Sequence, residues 1–304
     1  MALTWRLVWQ MIRPGFLVVT AVACLLGFAT AAASGGGFSA AKAVATLVLA
    51  LVVHAAANVL NDYHDALNGA DDANHQGIFP FTGGARLIQR GKVSVQDTYR
   101  LAQTLLVLWV PAGIVLAVFS GGGLVGVGLA GLLLAWAYSA PPLQLMARGL
   151  GELAVSMAWG LVVVGADYVQ RGQFFVVAVV VAMGYALLVA NILVVNGFPD
   201  ALSDALVGKA TLVVRLGPAA AAWAYLGVAA LAHSWLVAGV WLQITPAAAL
   251  WGLLSLPLSL LAAGQLLRYA RQPGQLRPAI VLSISATVVH GLAMAAGLLV
   301  LRGG

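Results

Sequence analysis

The sequence predicts an all-α polytopic membrane protein: nine transmembrane helices in a bundle, with two Asp-rich cytoplasmic loops over a central cavity. Three observations predict it. The first is composition: 62% of the 304 residues are hydrophobic and 8% are charged, against roughly 45–50% and 25% in soluble domains. With a mean hydropathy of +0.99, fifteen basic and nine acidic side chains cannot cover a water-facing surface of this length, so the apolar excess must face lipid. The second is the recurrence of apolar runs close to the ~20 residues that cross a bilayer. The third is the placement of the basic residues between those runs.

In chain order the runs are 14–33, 40–60, 99–119, 124–140, 150–166, 174–195, 219–241, 246–267 and 278–301. Arg6 and Arg13 precede the first in the manner of a signal peptide, but its apolar stretch is longer than an ordinary h-region and more spans follow, so it reads as an uncleaved span. Ser34-Gly35-Gly36-Gly37, Ser120-Gly121-Gly122-Gly123, Pro141-Pro142 and Gln272-Pro273-Gly274 punctuate the series as turns. With the N-terminus inside, Arg6, Arg13, Arg86, Arg90, Lys92, Arg100, Arg148, Lys209, Arg215, Arg268, Arg271 and Arg277 are cytoplasmic, and only Lys42, Arg171 and Arg302 fall outside. That asymmetry supports both the count and the orientation. No boundary interrupts the series, so residues 1–304 read as one integral-membrane domain.

The net charge of +6 follows from loop topology and excludes a nucleic-acid-binding module, since no basic, aromatic-interleaved soluble segment exists. Cys24, the single cysteine, forms neither an internal disulfide nor a Cys-rich metal site and reads as a small buried or lipid-facing residue.

Seven of the nine acids (Asp62, Asp65, Asp71, Asp72, Asp97, Asp200 and Asp204) lie in two connections, after spans two and six, which the topology puts on the same side. They read as one site. In the first cluster, 61–72, continued helix would place Asn61 and Asp65, and Asp62 and Asp65, on a shared face. Carboxylates so crowded are relieved by a raised pKa or by a cation, and magnesium suits a site of one or two carboxylates completed by water and phosphate. In the second cluster, 196–204, Asn196, Asp200 and Asp204 fall at i, i+4 and i+8, again one face. Pro199 cannot donate to Val195, which predicts a kink or a fresh helix start. Arg86, Arg90 and Lys92 follow the first cluster, Lys209 and Arg215 the second. Metal ligands beside cations are the equipment for holding a diphosphate. The bland reading is an ordinary pair of solvated loops, with basic residues placed for topology.

These residues resemble the UbiA-type intramembrane prenyltransferase superfamily. Asn61, Asp62 and Asp65 match its first motif, N-D-x-x-D-x-x-x-D, and Asn196, Asp200 and Asp204 match its second, N-x-x-x-D-x-x-x-D. Gly208-Lys209-Ala210-Thr211-Leu212-Val213-Val214-Arg215-Leu216-Gly217 resembles the tail that follows. Tyr138-Ser139-Ala140-Pro141-Pro142-Leu143 and Arg148-Gly149-Leu150-Gly151-Glu152 resemble the segment between the motifs. Gly69 replaces the last acid of the first motif, and the later Asp71 and Asp72 make the form similar to menaquinone-branch enzymes that prenylate 1,4-dihydroxy-2-naphthoate, with Asp71 as third carboxylate. Phe198-Pro199 stands where many relatives carry an arginine, so a phosphate contact is lost there or supplied elsewhere.

The resemblance implies transfer of a polyprenyl group from its diphosphate to an aromatic acceptor in a bacterial cytoplasmic membrane, with the N-terminus and active site cytoplasmic. It implies Mg2+ on Asp62, Asp65, Asp71, Asp200 and Asp204, with Lys209, Lys92 and Arg86 sharing the diphosphate charge and Arg148 at the substrate site. Asn58, Asn61 and Asn196 would orient ligands or bond the diphosphate, and Asn58 serves equally as helix-to-helix glue. Tyr138 would shield a carbocation or anchor at the interface. His64 is a candidate for proton removal or an exposed polar residue. Glu152 reads as a helix N-terminal charge and Asp167 as the end of a span. His54, His233 and His290 lack metal-ligand spacing and receive no role. Within prenyl transfer, 4-hydroxybenzoate, homogentisate and a glycerol phosphate are competing acceptors. A membrane terpene cyclase is a rival enzyme reading, and a secondary transporter, which would hold its acids near the midplane, is the rival outside enzymes.

Overall fold

The computed structural model describes residues 3–300, and among these there is no strand. A short helix α1 (Trp5–Met11) leads into α2 (Pro14–Ala33), α3 (Ala40–Asn68) and a single turn, α4 (Ala70–Ala73). Then come α5 (Val95–Ser120), α6 (Gly123–Ser139), α7 (Gly151–Arg171), α8 (Val176–Leu206), α9 (Leu212–Trp241), α10 (Leu256–Tyr269) and α11 (Arg277–Val300). Eight stretches are long and apolar enough to cross a membrane, one of them formed by a 3₁₀ segment, Ala247–Ser255, that runs directly into α10. The fourth expected span is α6, which has 17 residues and is shorter than the others. Leu301 and Arg302 lie outside the described residues.

The boundaries follow local chemistry. Ser39 and Ser94 cap α3 and α5 by accepting from the backbone N–H of Lys42 and Asp97. Gly217, at φ 75°, breaks α9 just before Pro218, close to where the apolar run was expected to begin. Two expectations need correction. The Asp-rich segments are not loops: Asp62 and Asp65 lie within α3, Asp71 on α4, and Asp200 and Asp204 within α8. Nor does Pro199 start a new helix, since α8 continues through it to Leu206. Pro199 and Phe198 are buried, so packing outweighs the one hydrogen bond the ring removes.

Two halves share α2, α7 and α8. On one side α3, α5 and α6 close with them around a cavity. On the other, α9 packs against α8 and α11 against α2 and α8, with the 3₁₀ segment and α10 laid on α9 and α11. Val22, Leu26, Val163, Tyr185, Met294 and Leu298 form the apolar core between them. Small residues allow close approach: a Cβ at Gly27 would stand 2.2 Å from the Val163 carbonyl oxygen, and one at Gly297 2.1 Å from that of Ala248. His233 and His290 are structural. Both meet the Ser255 hydroxyl, at 2.9 and 3.1 Å, and so tie α9 and α11 to the 3₁₀ segment.

Outward faces are apolar: Val107, Ile114, Val118 and Phe119 of α5 are all more than half exposed. Lipid is the solvent that suits such a surface, and the chain is an integral membrane protein. At the bundle end away from the acids, Gln170 pairs with the Ser39 backbone, and Arg171 reaches Asp167 and Ser34. Asp167 is buried and accepts from Thr30 at 2.8 Å. It therefore fastens α7 to α2 rather than simply ending a span.

Candidate active site

The cavity has a volume of about 560 Å³. Its walls are apolar along most of their length, and its polar residues collect at the bundle end where α3, α6 and α8 finish and α2 and α7 begin. There the structure brings together Asn58, Asn61, Asp65, Asp71, Tyr138, Asn196, Asp200, Asp204 and Lys209. All nine were expected from sequence.

Helical spacing places Asn61 over Asp65, with the amide donating to the carboxylate at 3.2 Å. Lys209 sits between the two motifs. Its ammonium lies 2.5 Å from Asp65 of α3 and 3.4 Å from Asp204 of α8. Burial alone would lower the Lys209 pKa, but Asp65 and Asp204 outweigh it, and the pKa is raised. Asp200 accepts from the Asn74 amide at 2.7 Å and from the Gly83 N–H at 3.3 Å. Asp62 points to the side of the cavity, where it pairs with Arg13 and accepts from the Ala85 N–H. Asp71 is buried on α4. Burial and then the charge of Asp65 push its carboxyl up to about 7, against the pull of Arg13 and Lys209.

The set fits a hard divalent cation. All the charged ligands are carboxylate oxygens. A Cβ at Gly84 would lie 2.9 Å from both Asp62 Oδ1 and Asp71 Oδ2, so only a glycine leaves that space between two acids. The side-chain oxygens of Asn74 and Asn196 are buried without a partner, an arrangement that a ligand would complete. In the geometry seen, no three of these groups among the described residues close tightly enough to enclose an ion.

Further expected residues lie apart from the cavity. Arg86 donates to the Asn74 carbonyl at 2.6 Å and stands over the Phe79 ring. Lys92 is exposed, and Arg148 donates to the Pro142 carbonyl at 2.7 Å. Asn58 lines the cavity but also donates to the Ile12 carbonyl at 3.0 Å, so it does act as helix glue. Sequence reasoning missed Arg13, Asn74 and the Thr82-Gly83-Gly84 turn, all on the cavity wall. In sequence Arg13 reads only as a topology charge. Its signal was its place just before a Pro-initiated span, at φ 52°. His54, given no role, lines the wall as well, bonded to Thr20 at 2.8 Å and edge-on to Trp159.

This arrangement has relatives. The sequence model of the UbiA prenyltransferase family matches residues 17–283. The chain is 33% identical over 261 residues to the 1,4-dihydroxy-2-naphthoate octaprenyltransferase of Mycobacterium tuberculosis, covering 84% of this chain and 85% of that one. Its fold is similar to a UbiA homolog from Aeropyrum pernix K1, with TM-score 0.66, 18% identity and coverage of 95% and 98%. It is also similar to a UbiA homolog from Archaeoglobus fulgidus bound to GPP and Mg2+, with TM-score 0.59, 16% identity and coverage of 95% and 99%. The match spans the helices that carry both acidic segments and the cavity they close, and on that ground the chain belongs to the UbiA prenyltransferase family and is an integral-membrane prenyltransferase.

Proposed function

We propose that the chain transfers a polyprenyl group from a polyprenyl diphosphate to 1,4-dihydroxy-2-naphthoate in menaquinone biosynthesis, with Mg2+ and with the acidic end of the bundle facing the cytoplasm. The observation that carries this reading is the division of the cavity, whose one end holds the carboxylates of both motifs and Lys209 while its body is apolar. A substrate with a diphosphate head and an isoprenoid tail has the same division. The name of the Mycobacterium tuberculosis relative supports the acceptor, and the GPP and Mg2+ in the Archaeoglobus fulgidus structure support donor and metal.

Asp62, Asp65, Asp71, Asp200 and Asp204 would hold the metal. When bound, Mg2+ neutralises diphosphate charge and stabilises the departing pyrophosphate. Lys209 donates to diphosphate oxygens at the point where it bridges the motifs. The Asn61 and Asn196 amides orient the head group. Arg86 acts through the Asn74 carbonyl it holds, and Lys92 and Arg148 draw the anion toward this end. The apolar walls seat the tail and exclude water as the allylic C–O bond breaks. Tyr138 offers its ring face to the cation, and an electron-rich carbon of the acceptor captures it, then expels the group it carried to restore aromaticity.

The test is product identification by mass with purified protein, Mg2+ and a polyprenyl diphosphate, supplying dihydroxynaphthoate, 4-hydroxybenzoate or no acceptor. A prenylated naphthalene that disappears on EDTA addition is expected. Adducts with 4-hydroxybenzoate alone would overturn the acceptor, and turnover undiminished by EDTA would overturn the metal.

A further inference from the structure

Glu152 is the carboxylate on the cavity wall that neither motif contains. It lies in the first turn of α7 and lines the cavity. The backbone around it is set between the first motif and α8. The Asn61 amide contacts the Met146 sulfur at 3.2 Å. Met146 in turn packs so closely on Gly151 that an added Cβ would stand 3.1 Å from the Met146 Cα. The same Cβ would meet Leu193 of α8 at 3.3 Å, one turn before Asn196. Glu152 thus follows directly on a glycine wedged between Leu193 of α8 and Met146, the residue that the Asn61 amide of α3 contacts.

Its bonding differs from that of most acids in the site. Asp62 has Arg13, Asp65 and Asp204 have Lys209, and Asp200 has Asn74 and Gly83. Asp71 shares with Arg13 the space at Gly84. The Glu152 side chain has no ion pair and no hydrogen bond to another side chain among the described residues; its own backbone N–H bonds it, and Tyr138 lines the same cavity. A carboxylate without a cation, in a mostly apolar cavity, is an acceptor with a vacant partner.

Resting on the reading of an aromatic acceptor, we propose that Glu152 is a catalytic residue that accepts the proton of the acceptor hydroxyl. The allylic C–O bond breaks and its electron pair leaves with pyrophosphate, while a π pair of the ring forms the new C–C bond. The O–H pair becomes a ring C=O as the proton passes to Glu152. When the attacked carbon then loses its carboxylate as CO2, the C–C pair restores the ring double bond, the C=O pair returns to oxygen, that oxygen takes the proton back from Glu152, and the phenol is restored. A general base of this kind contributes about 10²- to 10⁴-fold.

The experiment compares the wild-type protein with Glu152→Gln and Glu152→Asp in detergent, using two hydroxyaromatic acceptors that differ only in a ring substituent making one hydroxyl several units more acidic. Thermal midpoints are taken alongside. Glu152→Gln is expected to lower kcat at least a hundred-fold with the slow acceptor, leave the KM for prenyl diphosphate unchanged, and lose far less with the acidic acceptor. Glu152→Asp should recover part of the activity. An equal loss with both acceptors, a loss below about threefold, or a loss that tracks a fallen melting midpoint would each overturn the assignment. If the wild-type protein prenylates no hydroxyaromatic compound, it is the underlying acceptor reading that fails; wild-type turnover with an indifferent Glu152→Gln removes only the base.

Discussion

At Lys209 two carboxylates from different helices share one ammonium, with the lysine side chain only 8% exposed. A buried cation so placed serves both the protein and an incoming diphosphate, which can take over one of its bonds. Lys209→Met nearly keeps the length and removes the charge. It is expected to lower kcat/KM for the prenyl diphosphate about 10²- to 10³-fold, and steady-state kinetics with an unchanged value would remove Lys209 from the diphosphate site. Gly84 makes a different demand. Its φ of +71° strains any side chain, and a Cβ would press on Asp62 and Asp71 at 2.9 Å. Gly84→Ala should raise the Mg2+ concentration needed for half-maximal turnover severalfold. The same half-saturating Mg2+ as wild type would mean that these two acids do not serve one ion.

Among the elements, α2 and α7 meet where the cavity half joins the packed half, and Gly27 sets how closely. Because the atom that a Cβ would strike is the Val163 backbone oxygen, 2.2 Å away, a rotamer change cannot relieve it and the helices must part. Gly27→Ala should destabilise by roughly 1–3 kcal/mol, read as a lower thermal midpoint in detergent; a wild-type midpoint would show that the contact yields. The same reasoning explains α8. Local chemistry predicts a kink or a fresh helix start at Pro199, yet no new helix begins there and α8 runs to Leu206, carrying Asn196, Asp200 and Asp204 at i, i+4 and i+8. Burial of Phe198 and Pro199 decides the matter. Propensity is a local preference, whereas α8 is packed against α7, α9 and α11.

For the whole molecule, the placement of charge supplies a prediction about orientation. Lys42 begins α3 and the exposed Lys92 precedes α5, at opposite ends of the bundle. Because the one native cysteine, Cys24, is buried, cysteines substituted at positions 42 and 92 can be labelled one at a time against a low background. An impermeant thiol reagent should reach position 42 from outside intact cells and position 92 only after the membrane is opened. Reaction of both from one side would refute the bundle's polarity.

By itself the sequence determined the solvent, the helices and the chemistry of one end, because lipid burial and i, i+4 spacing are local properties written in runs of residues. Asn61, Asp65, Asn196, Asp200, Asp204 and Lys209 could be singled out for that reason. What tertiary structure decided was which groups meet across the bundle. Asp62 turns to Arg13, a residue 49 positions away; Asn74 crosses to Asp200, 126 positions on; and Glu152 is carried to the cavity wall, where no side chain among the described residues bonds it. No periodicity reports such meetings. They depend on helix–helix distances set by Gly27 and Gly151, and on a turn at Gly83 and Gly84 that lies against Asp62, Asp71 and Asp200.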